Sequence, residues 1–306
     1  MKLLAFGEVV WDEIDGQRCI GGAPFNVAAH ARRIGIEGAH LFTAVGDDAL
    51  GTATLNTMES QGVGTDFVKT IETPTCVVRA LIDENKNARF LIPERTTFDL
   101  IRADDASLQL IRDLGFDCLY FGTIAQRSPT TRESLRKVIA TGKFRHIFFD
   151  VNLRMSFIDK EVLEYSLAKA SIVKVNEKEL QVMKELFGLK EEGYGLLAER
   201  FRRDFGIRWM CITCGPKGAY VSTEDAFRFC PAYAVNVVDT VGAGDAFSAA
   251  MISSLESGTS PEAACDFACK VGALVASRRG ALPDYTRSEL GLAEMSRAGS
   301  SLAPPT

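Results

Sequence analysis

Residues 234–258, AVNVVDTVGAGDAFSAAMISSLESG, decide how the rest of the chain is read. The apolar run ending near Val238 reads as a strand, and apolar residues at 247, 250, 251 and 255 place a helix from about Ala246. Between them lies Asp239-Thr240-Val241-Gly242-Ala243-Gly244-Asp245. Glycines at a helix start leave backbone N–H groups bare, and the helix dipole adds positive potential there. Such a turn is an anion hole, fit for the terminal phosphate of a nucleotide. A carboxylate at that place is unfavourable for phosphate unless it has another task, and Asp245 can take a proton from an attacking hydroxyl. A glycine turn ending in Asp is common for plain structural reasons. The full seven residues between strand and helix are much more specific.

Outward from this turn, short β-rich runs alternate with amphipathic stretches. LLAFGEVV reads as a first strand and NVAAHARRIG as a helix ending at Gly35; AHLFTAVG reads as a strand and DALGTATLNTMESQG as a helix. CLYFGTI, HIFFDVN, IVKVNE and WMCITCG are further strands followed by helix-like sequence. The alternation predicts an α/β fold, a mostly parallel sheet with helices on both faces and ligands beyond the C-terminal strand ends. Residues 74–101 break the rhythm: VVRALI, a polar turn DENKN and ARFLI read as a hairpin, and 12–20 (DEIDGQRCI) is short enough to join it. This is either a small sheet outside the main layer or a surface hairpin. Residues 295–306, rich in Ser, Ala and Pro, read as a flexible tail.

The composition agrees with one soluble globular chain. Its 306 residues are 46% hydrophobic and 25% charged, and 35 basic against 40 acidic residues leave a charge of −5. No apolar run approaches the ~18 residues of a membrane span. MKLLAFGEVVWD carries one Lys, and Glu8 interrupts its apolar stretch, so it does not read as a signal peptide and a cytoplasmic location is expected. Mild acidity argues against a nucleic-acid partner, and no membrane partner is expected. Cys211 and Cys214 in WMCITCG would face opposite sides of a strand, a poor arrangement for one metal, so the eight cysteines read as buried reduced thiols. Histidines 30, 40 and 146 fit no zinc spacing.

DTVGAGDAF resembles the C-terminal signature of the PfkB/ribokinase family of carbohydrate kinases. Gly21-Gly22-Ala23-Pro24-Phe25-Asn26-Val27-Ala28 and Ala44-Val45-Gly46-Asp47-Asp48-Ala49-Leu50-Gly51 resemble its other signature. The resemblance runs from about Lys2 to about Leu290, and GEVVWDEI, GGAPFNVAAH and FDVNLR look most like fructokinases. It implies a three-layer αβα ribokinase-like fold with a small β-sheet lid. It implies a core of residues 1–11, 21–73 and 102–294, and a lid of 12–20 and 74–101 that closes on the sugar and makes a homodimer contact. It implies ATP, Mg²⁺ and an activating K⁺. Asp245 would be the general base, with the amides of Gly242, Ala243 and Gly244 stabilising the transferred phosphoryl group. Asp12, Gly22 and Asn26 would bind sugar hydroxyls. Asn176 and Glu179 form the N-x-x-E motif that organises phosphates and hydrated Mg²⁺; Thr213, Gly215 and Gly218 match the nucleotide-binding turn. Asp239, with carbonyls near Val241, Val275 and Gly280, matches a monovalent-cation site.

Simpler roles stand beside these. Asn26 can cap its helix, Glu179 can be a solvated helix residue, and Gly215 and Gly218 can form a plain turn. Arg154 can pair with a surface acid or bind phosphate in the cleft. Phe98 can line the sugar pocket or pack the lid, and Phe25, where small residues are usual in this family, can narrow the pocket or lie outside it. Many fructokinases carry Arg on the second lid strand, where this chain has Ile92 before Glu94-Arg95. The expected reaction is phosphorylation of a primary hydroxyl, foremost C6 of D-fructose. The rivals are 2-keto-3-deoxygluconate, another sugar or a nucleoside as acceptor, and a regulatory homologue without turnover.

Overall fold

A computed structural model describes the chain except residues 15, 83–87, 155–156, 257 and 292–306, so the turn DENKN and the tail 295–306 lie outside the described residues. In chain order the elements are β1 (Lys2–Phe6), β2 (Val10–Ile14), β3 (Gln17–Gly21), α1 (Ala23–Ile34), β4 (Gly38–Gly46), α2 (Ala49–Ser60), β5 (Val68–Ile71), β6 (Val77–Ile82) and β7 (Ala88–Leu91). There follow α3 (Asp105–Leu114), β8 (Cys118–Phe121), α4 (Pro129–Thr141), β9 (His146–Asp150), α5 (Lys160–Lys169), β10 (Ile172–Asn176), α6 (Glu177–Phe187) and α7 (Tyr194–Phe205). The last part contains β11 (Trp209–Thr213), β12 (Gly218–Ser222), β13 (Phe227–Pro231), α8 (Ala243–Glu256), α9 (Pro261–Ala276) and α10 (Arg287–Gly291).

The main sheet has the order β13-β12-β11-β10-β9-β8-β1-β4-β5. From β5 to β11 every pairing is parallel, whereas β12 and β13 run antiparallel at one edge. Strands buried on both faces read as continuous apolar runs, as in the fully buried Cys-Leu-Tyr-Phe of β8. One core packs α1, α2, α8, α9 and α10 on one face; the other packs α3 to α7 on the opposite face. Cys211 lies in the first core and Cys214 in the second, on opposite faces as expected; seven of the eight thiols are buried and Cys19 is exposed.

The apparent first strand LLAFGEVV is two strands. The chain bends at Gly7 (φ +140°), where an added Cβ would sit 2.9 Å from Pro24 Cγ, and passes from the main sheet into a smaller one. That sheet has the order β3-β2-β6-β7: β2 and β3 form a hairpin, β2 runs parallel to β6, and β6 pairs antiparallel with β7. It therefore takes residues from Val10 to Gly21, wider than 12–20. Its described outer row is charged, Glu13 pairing with Arg18 (2.7 Å) and Arg79 (3.2 Å).

The reading of 234–258 needs two corrections. Strand structure ends at Pro231, and residues 234–242 belong to neither strand nor helix. There the chain leaves the sheet edge, Val237, Val238 and Val241 stay exposed, and the amides of Val238 and Asp239 bind the carbonyl of Ala276 at the end of α9. α8 begins at Ala243, three residues before the expected start, which puts Asp245 in its first turn. Likewise α1 begins at Ala23, so Asn26 lies inside the helix and Gly22, not Asn26, is its N-cap residue.

Candidate active site

The C-terminal ends of β1, β9, β10 and β11 and the first turns of α1 and α8 supply the expected residues. Gly22 (φ +107°) lets α1 start against β1, since a Cβ there would lie 2.5 Å from the carbonyl oxygen of Glu8. One turn on, Asn26 is buried and its Nδ2 donates to Asp245 Oδ2 at 2.8 Å. This bond joins residues 219 positions apart. Burial pushes Asp245 up to about 6; the Asn26 hydrogen bond, Lys174 and Arg154 pull it down, and the Asp150 charge adds to the rise.

Gly242 (φ +77°) turns the chain into α8, and a Cβ on it would lie 2.5 Å from the oxygen of Ala281. The amides of Gly242, Ala243 and Gly244 thus surround the helix start, where no preceding turn offers acceptors; that of Ala243 makes a long 3.3 Å bond to Thr240 O. Beneath this turn lies a group that the motifs did not bring out. Lys174 Nζ is 3.1 Å from both oxygens of Asp150, and an added Cβ on Gly244 would be 3.3 Å from it. Tyr120 and Ser248 hydroxyls also donate to Asp150 Oδ2. Burial works against the Lys174 charge, but Asp150, Glu179 and Asp245 outweigh it and its pKa is raised. A buried cation is thereby fixed under the anion hole. The sequence signal is a charged residue inside an apolar parallel strand, IVKVN.

Asp12, on β2, is partly buried, and its pKa is raised by burial against the pull of Arg154. Arg154 is exposed, hydrogen-bonds Asn152 Oδ1 (2.7 Å), and its charge acts on Glu8, Asp12 and Asp245. Phe98 is a correction: it is 1% exposed, in a short 3₁₀ turn (Thr97–Leu100), with the Arg127 guanidinium 4.8 Å over its ring, and offers a sugar no open face. Phe25 is fully buried in the core and lies outside any pocket. Arg127, unmarked by any motif, grips Asp99 with two bonds (2.8 and 2.7 Å) and Pro93 O (2.7 Å), fixing the chain that returns from β7.

On the nucleotide side, Asn176 and Glu179 form the capping box of α6. Glu179 is buried rather than solvated, and its oxygens accept from the amides of Leu153 (3.0 Å) and Asn176 (2.8 Å). Thr213 ends β11 beside Asn176, and Gly215 and Gly218 do form the turn into β12, with Gly218 pressed against Cys230 O. The cation-site positions also converge. Asp239 accepts from Val241 N (3.0 Å) and Gly280 N (2.9 Å), while its own amide binds Ala276 O beside Val275. His30 of α1 steadies this region from behind, with Nδ1 2.7 Å from the Tyr285 hydroxyl and Nε2 2.9 Å from Ala281 O. Among the described residues no group of three or more His, Cys, Asp or Glu is placed to hold a metal, and no helix is long and apolar enough to cross a membrane.

Together these elements place a buried carboxylate in the first turn of a helix, backbone amides at that helix start and a buried ammonium group below them. A family description of pfkB family carbohydrate kinases matches residues 2–286. The chain is 30% identical over 280 residues to an uncharacterized sugar kinase of Pyrococcus horikoshii, covering 88% of this chain and 84% of that protein. It is 31% identical over 244 residues to a fructokinase of Rhizobium leguminosarum, covering 77% of this chain and 71% of that one. Among solved structures, the 2-dehydro-3-deoxygluconokinase of Thermotoga maritima superposes with a TM-score of 0.82 at 20% identity, covering 95% of this chain and 98% of its own.

Proposed function

The chain belongs to the pfkB family of carbohydrate kinases, and from that premise we propose that it transfers the γ-phosphoryl group of ATP to a primary hydroxyl of a sugar, foremost C6 of D-fructose. The observation that carries this reading is the 2.8 Å bond from Asn26 to Asp245, which sets a sugar-side amide directly on the base. Asp245 takes the proton as the sugar oxygen bonds to the γ-phosphorus and the bond to the ADP oxygen breaks. The amides of Gly242, Ala243 and Gly244 balance the charge on the transferring group, and Lys174 adds positive potential from beneath. Asp12 and Gly22 face the sugar, and Arg154 counters the acids gathered there. Thr213, Gly215 and Gly218 seat the nucleotide. Mg²⁺, when bound, neutralises phosphate charge, and Asn176 and Glu179 would order its water shell. Asp239, with carbonyls of Val241, Val275 and Gly280, would hold K⁺. The small sheet closes over the sugar, excludes water and pairs two copies of the chain.

A second acceptor, an uncharged sugar other than fructose, is favoured by one feature: Ile92 stands on the return from the second lid strand, where many fructokinases place Arg. ADP release with Mg²⁺ and K⁺ across fructose, ribose, 2-keto-3-deoxygluconate, glucose, mannose, tagatose, adenosine and inosine separates these readings. The expected result is a kcat/KM preference for fructose of about a hundredfold or more. A preference for another sugar moves the specificity, and silence with ATP bound refutes turnover.

A further inference from the structure

Next to Asp245 the structure leaves two buried acceptor oxygens without partners. Glu8, just beyond β1, is 5% exposed and its Oε2 has no hydrogen-bond partner. Asn26 is 4% exposed; its Nδ2 is committed to Asp245 and its Oδ1 has no partner. The two residues are neighbours through α1: Gly22, the residue before its first turn, lies against the Glu8 backbone, and Asn26 follows one turn on. Native proteins rarely leave buried polar oxygens unpaired, and one explanation is a ligand that pairs them. A merely structural role for Glu8 does not account for a buried carboxyl group whose Oε2 has no partner.

Arg154 from the loop after β9, Asp245 from α8 and Tyr120 from β8 interact electrostatically with the Glu8 carboxyl group. The first two are groups of the proposed transfer site. We propose that Glu8 is a further sugar-binding residue: its Oε2, beside Asn26 Oδ1, accepts hydrogens from sugar hydroxyls close to the one that Asp245 deprotonates. The ligand class follows from the chemistry. Two acceptors beside Asp12 and Asp245 call for hydroxyl donors and disfavour a phosphate or carboxylate at that end of the substrate. This inference rests on the kinase reading above.

The experiment compares wild type, Glu8→Leu and Glu8→Gln with D-fructose, the other sugars of the panel and the monodeoxy derivatives of whichever sugar wild type turns over best. For Glu8→Leu the sugar KM is expected to rise about tenfold or more while the ATP KM stays within about twofold. One deoxy sugar that wild type handles about tenfold worse than its parent is expected to be handled as well as the parent by Glu8→Leu. Glu8→Gln, which keeps shape and a carbonyl acceptor, is expected to retain most of that discrimination. Unchanged discrimination in Glu8→Leu, or equal rises in the sugar and ATP KM values, overturns the proposal. Should Glu8→Leu fail to fold, judged by its melting curve, Glu8→Met, which also lacks an acceptor oxygen, takes its place with the same outcomes. A wild type that turns over no sugar fails earlier and refutes the kinase reading, which is a different outcome from an active wild type indifferent to Glu8.

Discussion

Asp245 carries opposing demands: a proton acceptor must be ionised at working pH, yet burial pushes this carboxyl up to about 6. A base is useful when its pKa lies just below the pH at which it acts. Activity needs the ionised form, so kcat/KM is predicted to fall about tenfold per pH unit below about 6; a pH–rate profile flat to pH 5 would contradict it. The same shift has a stability sign. A carboxyl raised from 3.8 to about 6 on folding costs nothing below the unfolded value, and its penalty grows as pH rises to about 6. Asp245→Asn is therefore expected to be more stable than wild type at pH 8, by up to about 3 kcal/mol, and equal to it near pH 4. Urea unfolding at the two pH values checks this, and a variant less stable at pH 8 would contradict it. At this scale Asp245 and Asn26 were legible because they sit in glycine-marked turns. Glu8, Asp150 and Lys174 were not, because one charge in an apolar strand looks the same whether it is buried in a network or turned to solvent. Only the fold shows Tyr120, Lys174 and Ser248 meeting on Asp150.

Elements were legible in proportion to their periodicity. The parallel strands β1, β4, β8, β9, β10 and β11 are short apolar runs, and the sequence placed each near its observed position; the half-buried edge strand β5 was not foreseen. β12 and β13 were not foreseen: in β13 Phe227, Arg228 and Phe229 alternate at a half-covered edge where no continuous apolar run is needed, and β12, though buried throughout, is the short Gly-Ala-Tyr-Val-Ser run directly after a glycine turn. The reverse error occurred at 234–238, where β-branched residues imitate a strand but have no neighbouring strand and stay exposed. One tie of the small sheet to the core is Arg127, beside the bond from Trp11 Nε1 to Thr54 Oγ1 (2.9 Å). Arg127 holds Asp99 as a two-bond ion pair with little exposure on either side, and also holds Pro93 O. Removing one partner of such a pair leaves a buried charge, so Arg127→Ala is expected to cost about 3 kcal/mol of unfolding free energy. Because the tie lies on the sugar side, the sugar KM should rise more than the ATP KM. A loss under about 0.5 kcal/mol in denaturant titration would show that the tie is not needed.

The whole molecule brings distant parts of the chain to one centre. The small sheet between the two halves of the N-terminal region was readable as an interruption of the βα rhythm, although its strand order was not. The described row Glu13, Arg18 and Arg79 on it is ion-paired. Both charge signs in one row suit a self-complementary contact, so the dimer proposed here should loosen with salt. Light scattering is predicted to give twice the chain mass of 33.4 kDa at low salt and a shift towards it at high salt; a monomer throughout would remove the dimer. The central claim is that α1 and α8 together form one phosphoryl-transfer centre with Asp245 as its base. The direct test is sugar-dependent ADP formation by Asp245→Asn, with ATP affinity measured calorimetrically on the same preparation. A fall in kcat of about a thousandfold with ATP affinity within about threefold is the predicted result. A kcat within tenfold of wild type would contradict the assignment.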